Sequence, residues 1–168
     1  MTDKTPPHDV ATDPVSVPPW RRMLPIALFT AGLVILALYL FSPVLGADTA
    51  VVLGDRILGK PDSRADAIAM LQGLSGQTHE VYSAVVLAAA AGRVLDCLNI
   101  TRVTFAQLDR AWIESYCDTG DPMDKAGAYG VQGRAAEKIT RIEGSFSGVM
   151  GLPLYETCRL LRQAEVLS

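Results

Sequence analysis

Histidine and paired cysteine are scarce in this sequence, which argues against several common catalytic and metal-binding arrangements. Only two histidines, His8 and His79, occur in 168 residues, so neither a histidine-based triad nor a histidine metal cage is expected. The three cysteines, Cys97, Cys117 and Cys158, lie far apart and form no Cys-x-x-Cys pair. We therefore expect reduced thiols in a cytosolic protein, and oxygen ligands for any metal, which favours Mg²⁺ or Mn²⁺.

An excess of positive charge is also missing. The chain carries a formal net charge of -3 and has a sequence pI near 5.3. Proteins that bind long nucleic acids usually present a broad basic surface, so no long nucleic acid is expected as a partner. A small nucleotide stays compatible with this composition, because it needs only a local positive pocket.

Charge of either sign is missing from a long segment near the N-terminus. No charged residue occurs between Arg22 and Asp48, and residues 23–42 read MLPIALFTAGLVILALYLFS. A helix of this length spans ~30 Å, the thickness of the hydrocarbon core of a bilayer, so we predict a transmembrane helix at 23–42. Two other interpretations stay open: a signal peptide cleaved at residues 45–47, and a buried strand formed by LALYL.

The residues before this segment have a different character. Residues 1–22 contain five prolines and few large apolar side chains, which predicts a disordered tail. Arg21 and Arg22 end the tail, and no basic residue follows until Arg56. If residues 23–42 span a membrane, the positive-inside rule keeps the N-terminus in the cytoplasm and moves the following domain to the other side.

From Val44 onward the hydrophobic pattern is that of one mixed α/β domain. Apolar runs separated by glycine-containing turns predict strands at 44–53, 56–60, 79–88, 94–105 and 138–142. A capping residue followed by helical spacing predicts a helix after Asp62 or Ser63. Further helices are predicted at 109–117, before Gly120 and Pro122, and from about Pro153, a residue favoured in the first turn of a helix. The first helix is expected to bury Ala65, Ile68, Leu71 and Leu74.

The stretch DKAGAYGVQG, residues 124–133, combines bare backbone with a few different polar groups. Its three glycines allow a tightly folded loop whose N–H groups can gather around an anion. Lys125 would add a positive charge suited to phosphate, and Gln132 offers a donor and an acceptor to a polar edge such as a nucleobase. A plain surface turn with solvated charges is the alternative.

Two further polar residues stand at the ends of apolar elements. Asp48 lies in the sequence GADT of the first predicted strand, where a buried carboxylate is costly unless it meets a cation or hydrogen-bond donors. Lys60 lies in the sequence GKP after the second strand. Asp48 could instead cap the turn or pair with Lys60, and Lys60 could be a solvated loop lysine. Together with the glycine-rich loop, one carboxylate and two lysines suit a metal-bound triphosphate.

The chain from Val44 to about Val166 closely resembles the Maf family of nucleoside triphosphate pyrophosphatases. The resemblance rests on five motifs in the family order: VLGADTAVVL, LGKP, AMLQGLSGQTHEV, DKAGAYGVQGR and RIEGSFSGVMGLPLYET. It implies a mixed α+β, Maf/ITPase-like fold for a domain at residues 43–168. The sequence DKAGAYG with Gln132 before the last glycine is similar to the branch that acts on dTTP and UTP.

The resemblance implies metal-dependent hydrolysis of dTTP or UTP, and of modified nucleotides, to the monophosphate and pyrophosphate. Asp48 matches the family's general base or metal-ordering acid, with Mg²⁺ or Mn²⁺ as cofactor, and Lys60 matches a lysine on the phosphates. The specificity and substrate-binding positions match Thr49, Asp124, Lys125 and Gln132, the last as the reader of the base. A cytoplasmic location and a homodimer are further implications.

The family's Ser-Pro-Arg-Arg type motif, with the helix and acidic residue that normally follow it, is missing before the GADT strand. LALYLFSP stands at residues 36–43 instead, without the arginines expected to grip the phosphates. We therefore expect residues 1–42 to derive from a gene fusion, a frameshift or a misplaced start. The alternative functions are a non-catalytic nucleotide-binding or division-linked regulatory module, membrane-tethered through residues 23–42, and a fragment without a stable fold.

Overall fold

The structure is a computed structural model that describes residues 42–89 and 92–168. Its strands are β1 (Val44–Leu53), β2 (Arg56–Leu58), β3 (Thr78–Ala88), β4 (Val94–Phe105) and β5 (Ile139–Glu143). Its helices are α1 (Arg64–Leu74), α2 (Arg110–Cys117), α3 (Phe146–Val149) and α4 (Leu154–Gln163). Short 3₁₀ turns lie at Asp121–Asp124, Ala126–Ala128 and Arg134–Lys138. The mixed α+β class predicted from the sequence is confirmed.

The five strands form one antiparallel sheet in the order β2-β1-β3-β4-β5. Successive side chains of a strand point to opposite faces of such a sheet. On β3 this alternation is regular: Val81, Ser83 and Val85 are buried, whereas Ala84 and Val86 are exposed. The alternation also governs β1, which pairs with β3 along most of its length.

The helices pack on one face of the sheet only, within the described part of the chain. The core that they form with the strands includes Val51, Leu71, Val81, Val103, Phe105, Ile113 and Tyr116. α4 extends the covered face at its far end, where Leu160 packs with Val85 and Leu87. The other face leaves Val86 and Leu98 exposed.

Two helices begin at side-chain caps, and the sequence predicts the cap of the first. Ser63 Oγ accepts a hydrogen bond from the N–H of Asp66 at 3.2 Å, and Asp109 Oδ1 accepts one from the N–H of Trp112 at 2.8 Å. Each side chain thereby satisfies a backbone donor of the first helical turn. One detail of the prediction is wrong, because Ala65 is exposed and the buried face of α1 consists of Ala67, Leu71 and Leu74.

β3 and β4 form a long hairpin at the centre of the sheet. The two strands stay paired from Ala88↔Val94 to Thr78↔Thr104 without an interruption. At the closed end of the hairpin the N–H of Ala89 donates to the carbonyl of Arg93 at 2.7 Å. His79 at the start of β3 and Phe105 at the end of β4 contact Tyr129 of the loop at residues 121–133.

The predictions for the N-terminal part lie outside the described residues, apart from Ser42. They concern the disordered tail at 1–22 and the three interpretations of residues 23–42, and all of them stay predictions. Within residues 42–89 and 92–168, no helix has the length and apolar character needed to cross a bilayer.

Candidate functional site

A cavity of about 190 Å³ lies between β1, β3, the loop at residues 121–133 and the end of α3. Its walls combine apolar and polar groups, and the residues that line it are Thr49, Val51, Val81, Asp124, Lys125, Ala126, Tyr129, Gly130, Val131, Gln132, Val149, Met150 and Gly151. Four residues singled out in the sequence therefore meet here: Thr49, Asp124, Lys125 and Gln132. Asp48 and Lys60 are not among the lining residues.

Two glycines of the cavity loop lie in close contact with neighbouring side chains, and the contact of Gly127 with the stiff Val51 is the more restrictive of the two. Gly127 has φ +69°, and a Cβ added there would lie 2.9 Å from Cγ1 of Val51. A Cβ at Gly130 would lie 2.7 Å from Cε of Lys125. The N–H of Gly127 donates to the carbonyl of Gly59 at 3.0 Å, which ties the loop to the segment after β2. The bare backbone of this stretch thus lets the loop press directly against β1.

The hydroxyl groups of two buried tyrosines connect the loop to the core through hydrogen bonds. Tyr116 of α2 accepts a hydrogen bond at its hydroxyl oxygen from the N–H of Gly130 at 3.3 Å, and burial raises the pKa of Tyr116 to about 12. Tyr129 extends from the loop into the core, where its hydroxyl lies 2.7 Å from Nε2 of His79 on β3. Burial raises the pKa of Tyr129 and lowers that of His79 to about 4, so both groups are neutral near pH 7.

Lys125 is held within its own loop. Its ammonium group donates to Oδ1 of Asp124 at 2.7 Å and to the carbonyl of Asp121 at 3.1 Å, and it lies 3.5 Å from Oδ1 of Asp121. The hydrogen bond to Asp124 raises the pKa of Lys125. This lysine stabilises the loop, and a phosphate would have to compete with two carboxylates for it.

Asp48 and Thr49 point to opposite faces of the sheet. Thr49 pairs with Ser83 on the covered face, where the two hydroxyl oxygens lie 3.5 Å apart. Asp48 pairs with Ala84, is exposed, and lies on the face without packed helices. Its Oδ1 accepts a hydrogen bond from the N–H of Thr49 at 2.8 Å. A carboxylate in this position is accessible to water.

Lys60 is exposed and does not line the cavity. Its predecessor Gly59 binds the loop through the contact with Gly127. The pKa of Asp124 is lowered mainly by its hydrogen bond to Lys125, and the charge of Lys60 contributes to the same effect. No ion pair joins Lys60 to Asp48 in the described part of the structure, so the predicted alternative of a pair across the hairpin is not observed.

The carboxylates of the site do not form a metal cage by themselves. Within residues 42–89 and 92–168, no group of three His, Cys, Asp or Glu side chains is placed to hold a metal ion. Mg²⁺ is commonly bound by one or two carboxylates together with the phosphates of a substrate. The exposed carboxylate of Asp48 fits this second arrangement, as one protein ligand of an ion that arrives with a nucleotide.

A second depression, of about 460 Å³, lies on the other face of the sheet. Its charged side chains are already paired, because Arg102 lies 3.5 Å from Glu80 and Arg141 forms an ion pair with Glu143. His79 borders the depression, but none of the residues predicted to bind substrate or metal or to act in catalysis does. We therefore assign the functional site to the smaller cavity.

Several residues of the site escaped the sequence analysis. The wall formed by Val149, Met150 and Gly151 comes from α3 and the turn after it, which carried no prediction. His79, the first residue of the predicted strand 79–88, carries no site prediction. The period-two pattern of β3 gives a usable signal, because it places His79 on the same face as Val81 and therefore in the core.

Comparisons with known proteins agree with the motifs. Residues 21–164 match the family model described as Maf-like protein. The chain is 57% identical over 125 residues to the dTTP/UTP pyrophosphatase of Cupriavidus pinatubonensis (strain JMP 134 / LMG 1197), an alignment that covers 74% of this chain and 62% of that protein. It is 54% identical over 124 residues to the dTTP/UTP pyrophosphatase of Bordetella avium (strain 197N), covering 74% and 61%. It is 56% identical over 118 residues to the dTTP/UTP pyrophosphatase of Xanthomonas oryzae pv. oryzae (strain MAFF 311018), an alignment that covers 70% of this chain and 62% of that protein.

The extent of these matches has two features. The chain spans about three-fifths of the length of the curated relatives that it matches. The range of the family model starts at residue 21, so the predicted domain boundary at Pro43 lies inside the matched range.

Proposed function

The chain belongs to the family of Maf-like proteins, and from this premise we propose that it is a nucleoside triphosphate pyrophosphatase acting on dTTP and UTP. The observation that carries the proposal is the cavity in which Thr49, Lys125 and Gln132 meet beside the bare backbone of the loop. Relatives that are 54–57% identical carry the name dTTP/UTP pyrophosphatase. The reaction would yield the nucleoside monophosphate and pyrophosphate.

Gln132 is the proposed reader of the base. Its carboxamide can donate one hydrogen bond and accept another, which matches the neighbouring carbonyl and N–H of a thymine or uracil edge. A volume of about 190 Å³ is below the roughly 300–1,000 Å³ of pockets that enclose a whole drug-sized ligand. We infer that the cavity holds the base, and that the triphosphate extends out of it toward the exposed Lys60.

Asp48 is the proposed general base. A water molecule would attack the α-phosphorus, the bond between that phosphorus and the bridging oxygen of the β-phosphate would break, and pyrophosphate would leave. The proton of the water would pass to the carboxylate of Asp48, whose exposure allows water to approach. Because Asp48 points to the face of the sheet opposite the cavity, the triphosphate would have to pass around the edge of β1, which β2 leaves uncovered at Asp48 because it pairs with Val51–Leu53. Lys60 is the proposed cation that stabilises charge on the departing phosphates.

Mg²⁺ or Mn²⁺ is the proposed cofactor, with Asp48 as its ligand from the described residues. Such an ion shields phosphate charge and lowers the pKa of a bound water. The remaining ligands would be phosphate oxygens and water, in line with the absence of a three-residue cage in the described part of the chain.

The test is a product assay on the purified full chain. With Mg²⁺ or Mn²⁺ present, we expect dTTP and UTP to yield pyrophosphate and the monophosphate in equal amounts, and dGTP to be a poorer substrate. Release of single phosphates would contradict the assignment. Binding of dTTP in a calorimeter without any turnover would instead fit the non-catalytic nucleotide-binding module.

A further inference from the structure

We propose that His79 is a positioning residue for the cavity: through the hydroxyl of Tyr129 it fixes the backbone of residues 130–132. The significance of that backbone for a nucleotide rests on the proposed function. The contact itself, and its effect on the loop, do not depend on any activity.

The contact is short and fully enclosed. His79 is 1% exposed and Tyr129 is 5% exposed, and Nε2 of His79 lies 2.7 Å from the hydroxyl oxygen of Tyr129. The Tyr129 ring also meets the rings of His79 and Phe105 edge-on, with centroids 5.4 Å and 4.9 Å away. Aromatic packing fixes the plane of the tyrosine ring, and the hydrogen bond fixes its tip.

If His79 served only to fill space in the core, its imidazole would make the folded protein less stable than an apolar side chain would. Its second ring nitrogen, Nδ1, is buried and has no hydrogen-bond partner among the described residues. An unsatisfied buried polar group destabilises the folded state, and an apolar side chain of similar shape would avoid that loss. An apolar side chain could not form the observed hydrogen bond with the hydroxyl of Tyr129. That hydrogen bond therefore accounts for an imidazole at position 79.

The loop depends on this anchor because it has little bulk of its own. Tyr129 is flanked by Ala128 and Gly130, and Ala128 adopts φ +61°, a left-handed conformation that is strained for an alanine. Tyr129 and Gly130 both line the cavity, as does Gln132 two positions further on. Displacement of the Tyr129 ring would therefore move the backbone that carries Gln132.

A second anchor gives the loop a fixed orientation. The hydroxyl of Tyr116 accepts from the N–H of Gly130, whereas the His79 contact holds the neighbouring side chain of Tyr129. Two hydrogen bonds at adjacent residues, made to α2 and to β3, restrain both position and rotation of the segment. Loss of the His79 contact should leave the loop attached but free to rotate about Gly130.

The experiment measures amide hydrogen exchange of residues 127–133 in the ligand-free full chain. We expect His79→Leu and Tyr129→Phe each to speed exchange there at least about fivefold, the lower bound set by a loss of about 1 kcal/mol. The double variant should exchange no faster than the worse single variant, because both remove the same contact. His79→Gln, whose Nε2 can reach the same hydroxyl, should restore most of the protection.

Thr157→Val is the matched control, because Thr157 is buried, its Oγ1 donates to the carbonyl of Pro153 just before α4, and neither residue lines the cavity. It should leave exchange at 127–133 unchanged. In pyrophosphate release, Tyr129→Phe should raise KM for dTTP several-fold while kcat stays within about twofold, whereas a merely structural loss would lower the amount of folded protein and leave KM unchanged.

Unchanged exchange at 127–133 in folded Tyr129→Phe would overturn the proposal, even if His79→Leu failed to fold. Additive effects in the double variant would also overturn it. A wild-type protein that releases no pyrophosphate would sink the proposed function alone, because the exchange measurement needs no substrate.

Discussion

The two halves of the site differ in how they are built. The proposed recognition half, formed by Tyr129, Gly130 and Gln132, rests on a loop that buried phenols tie to α2 and β3. The proposed chemical half consists of the side chains of Asp48 and Lys60, which are both exposed. The recognition half is therefore part of the packed core, whereas the side chains of the chemical half lie on the protein surface.

This difference implies that binding and turnover can be separated by substitution. Changes in the recognition half should alter stability as well as affinity, since its atoms are packed. Changes in the chemical half should alter rate and leave the fold intact. The predictions below are ordered from the largest expected effect to the smallest.

Asp48→Asn should reduce kcat for dTTP ~10²-fold or more, as expected for the loss of a general base. The melting temperature should not change, because the carboxylate is exposed and its recorded contact is with the N–H of Thr49. Asp55→Asn, in the exposed turn after β1, is the control and should retain full activity. An Asp48→Asn enzyme with wild-type kcat would remove Asp48 from the chemical half.

Gln132→Ala should lower kcat/KM for dTTP and UTP by about 5- to 150-fold, which corresponds to ~1–3 kcal/mol for a lost pair of hydrogen bonds. Gln72→Ala, at an exposed position of α1, serves as control. Steady-state kinetics with both pyrimidine nucleotides and with dGTP make the comparison. Equal losses for all three nucleotides would assign Gln132 to loop structure, and base recognition would have to come from elsewhere.

Gly127→Ala should destabilise the protein more than Gly54→Ala does, although both glycines have a positive φ. At Gly54 nothing lies within 4 Å of an added Cβ, so the cost is roughly 1–2 kcal/mol of backbone strain. At Gly127 the methyl group would meet Val51, adding about 1–3 kcal/mol of overpacking. Urea unfolding gives both free energies, and equal values would show that the loop is loosely packed on β1.

Acid should destabilise the recognition half through His79. Burial lowers the pKa of His79 to about 4 in the folded protein, below its ordinary value of 6.5. Between these values the unfolded chain binds a proton that the folded chain does not, so the free energy of unfolding falls as pH drops. The slope approaches about 1.4 kcal/mol per pH unit. In His79→Gln this slope should disappear, and an unchanged slope would place the titrating group elsewhere.

Much of the fold follows from local signals in the sequence. The caps at Ser63 and Asp109 and the apolar runs of the strands lie within a few residues of the structure that they specify. Such signals need no knowledge of the rest of the chain, because propensity and capping act over a single turn or strand. The same locality explains why the glycine-rich loop was identifiable from its composition.

The arrangement of the site was harder to derive. Thr49 and Asp48 are neighbours in one motif, yet the period of a strand separates their side chains onto two faces. The pairing of Lys125 with Asp121 depends on the 3₁₀ turn between them, which carries no strong sequence signal. The contact between His79 and Tyr129 joins residues 50 positions apart, and nothing in either local pattern specifies it.

The central hairpin also has a consequence for the order in which the strands pair during folding. β3 and β4 follow each other directly along the chain, so their pairing closes a short loop, whereas β1 and β5 must find them across longer intervals. Local contacts form faster because less chain entropy is lost on closure. The cavity needs β1, β3 and the loop in place together, so nucleotide binding should be among the last properties to appear during refolding.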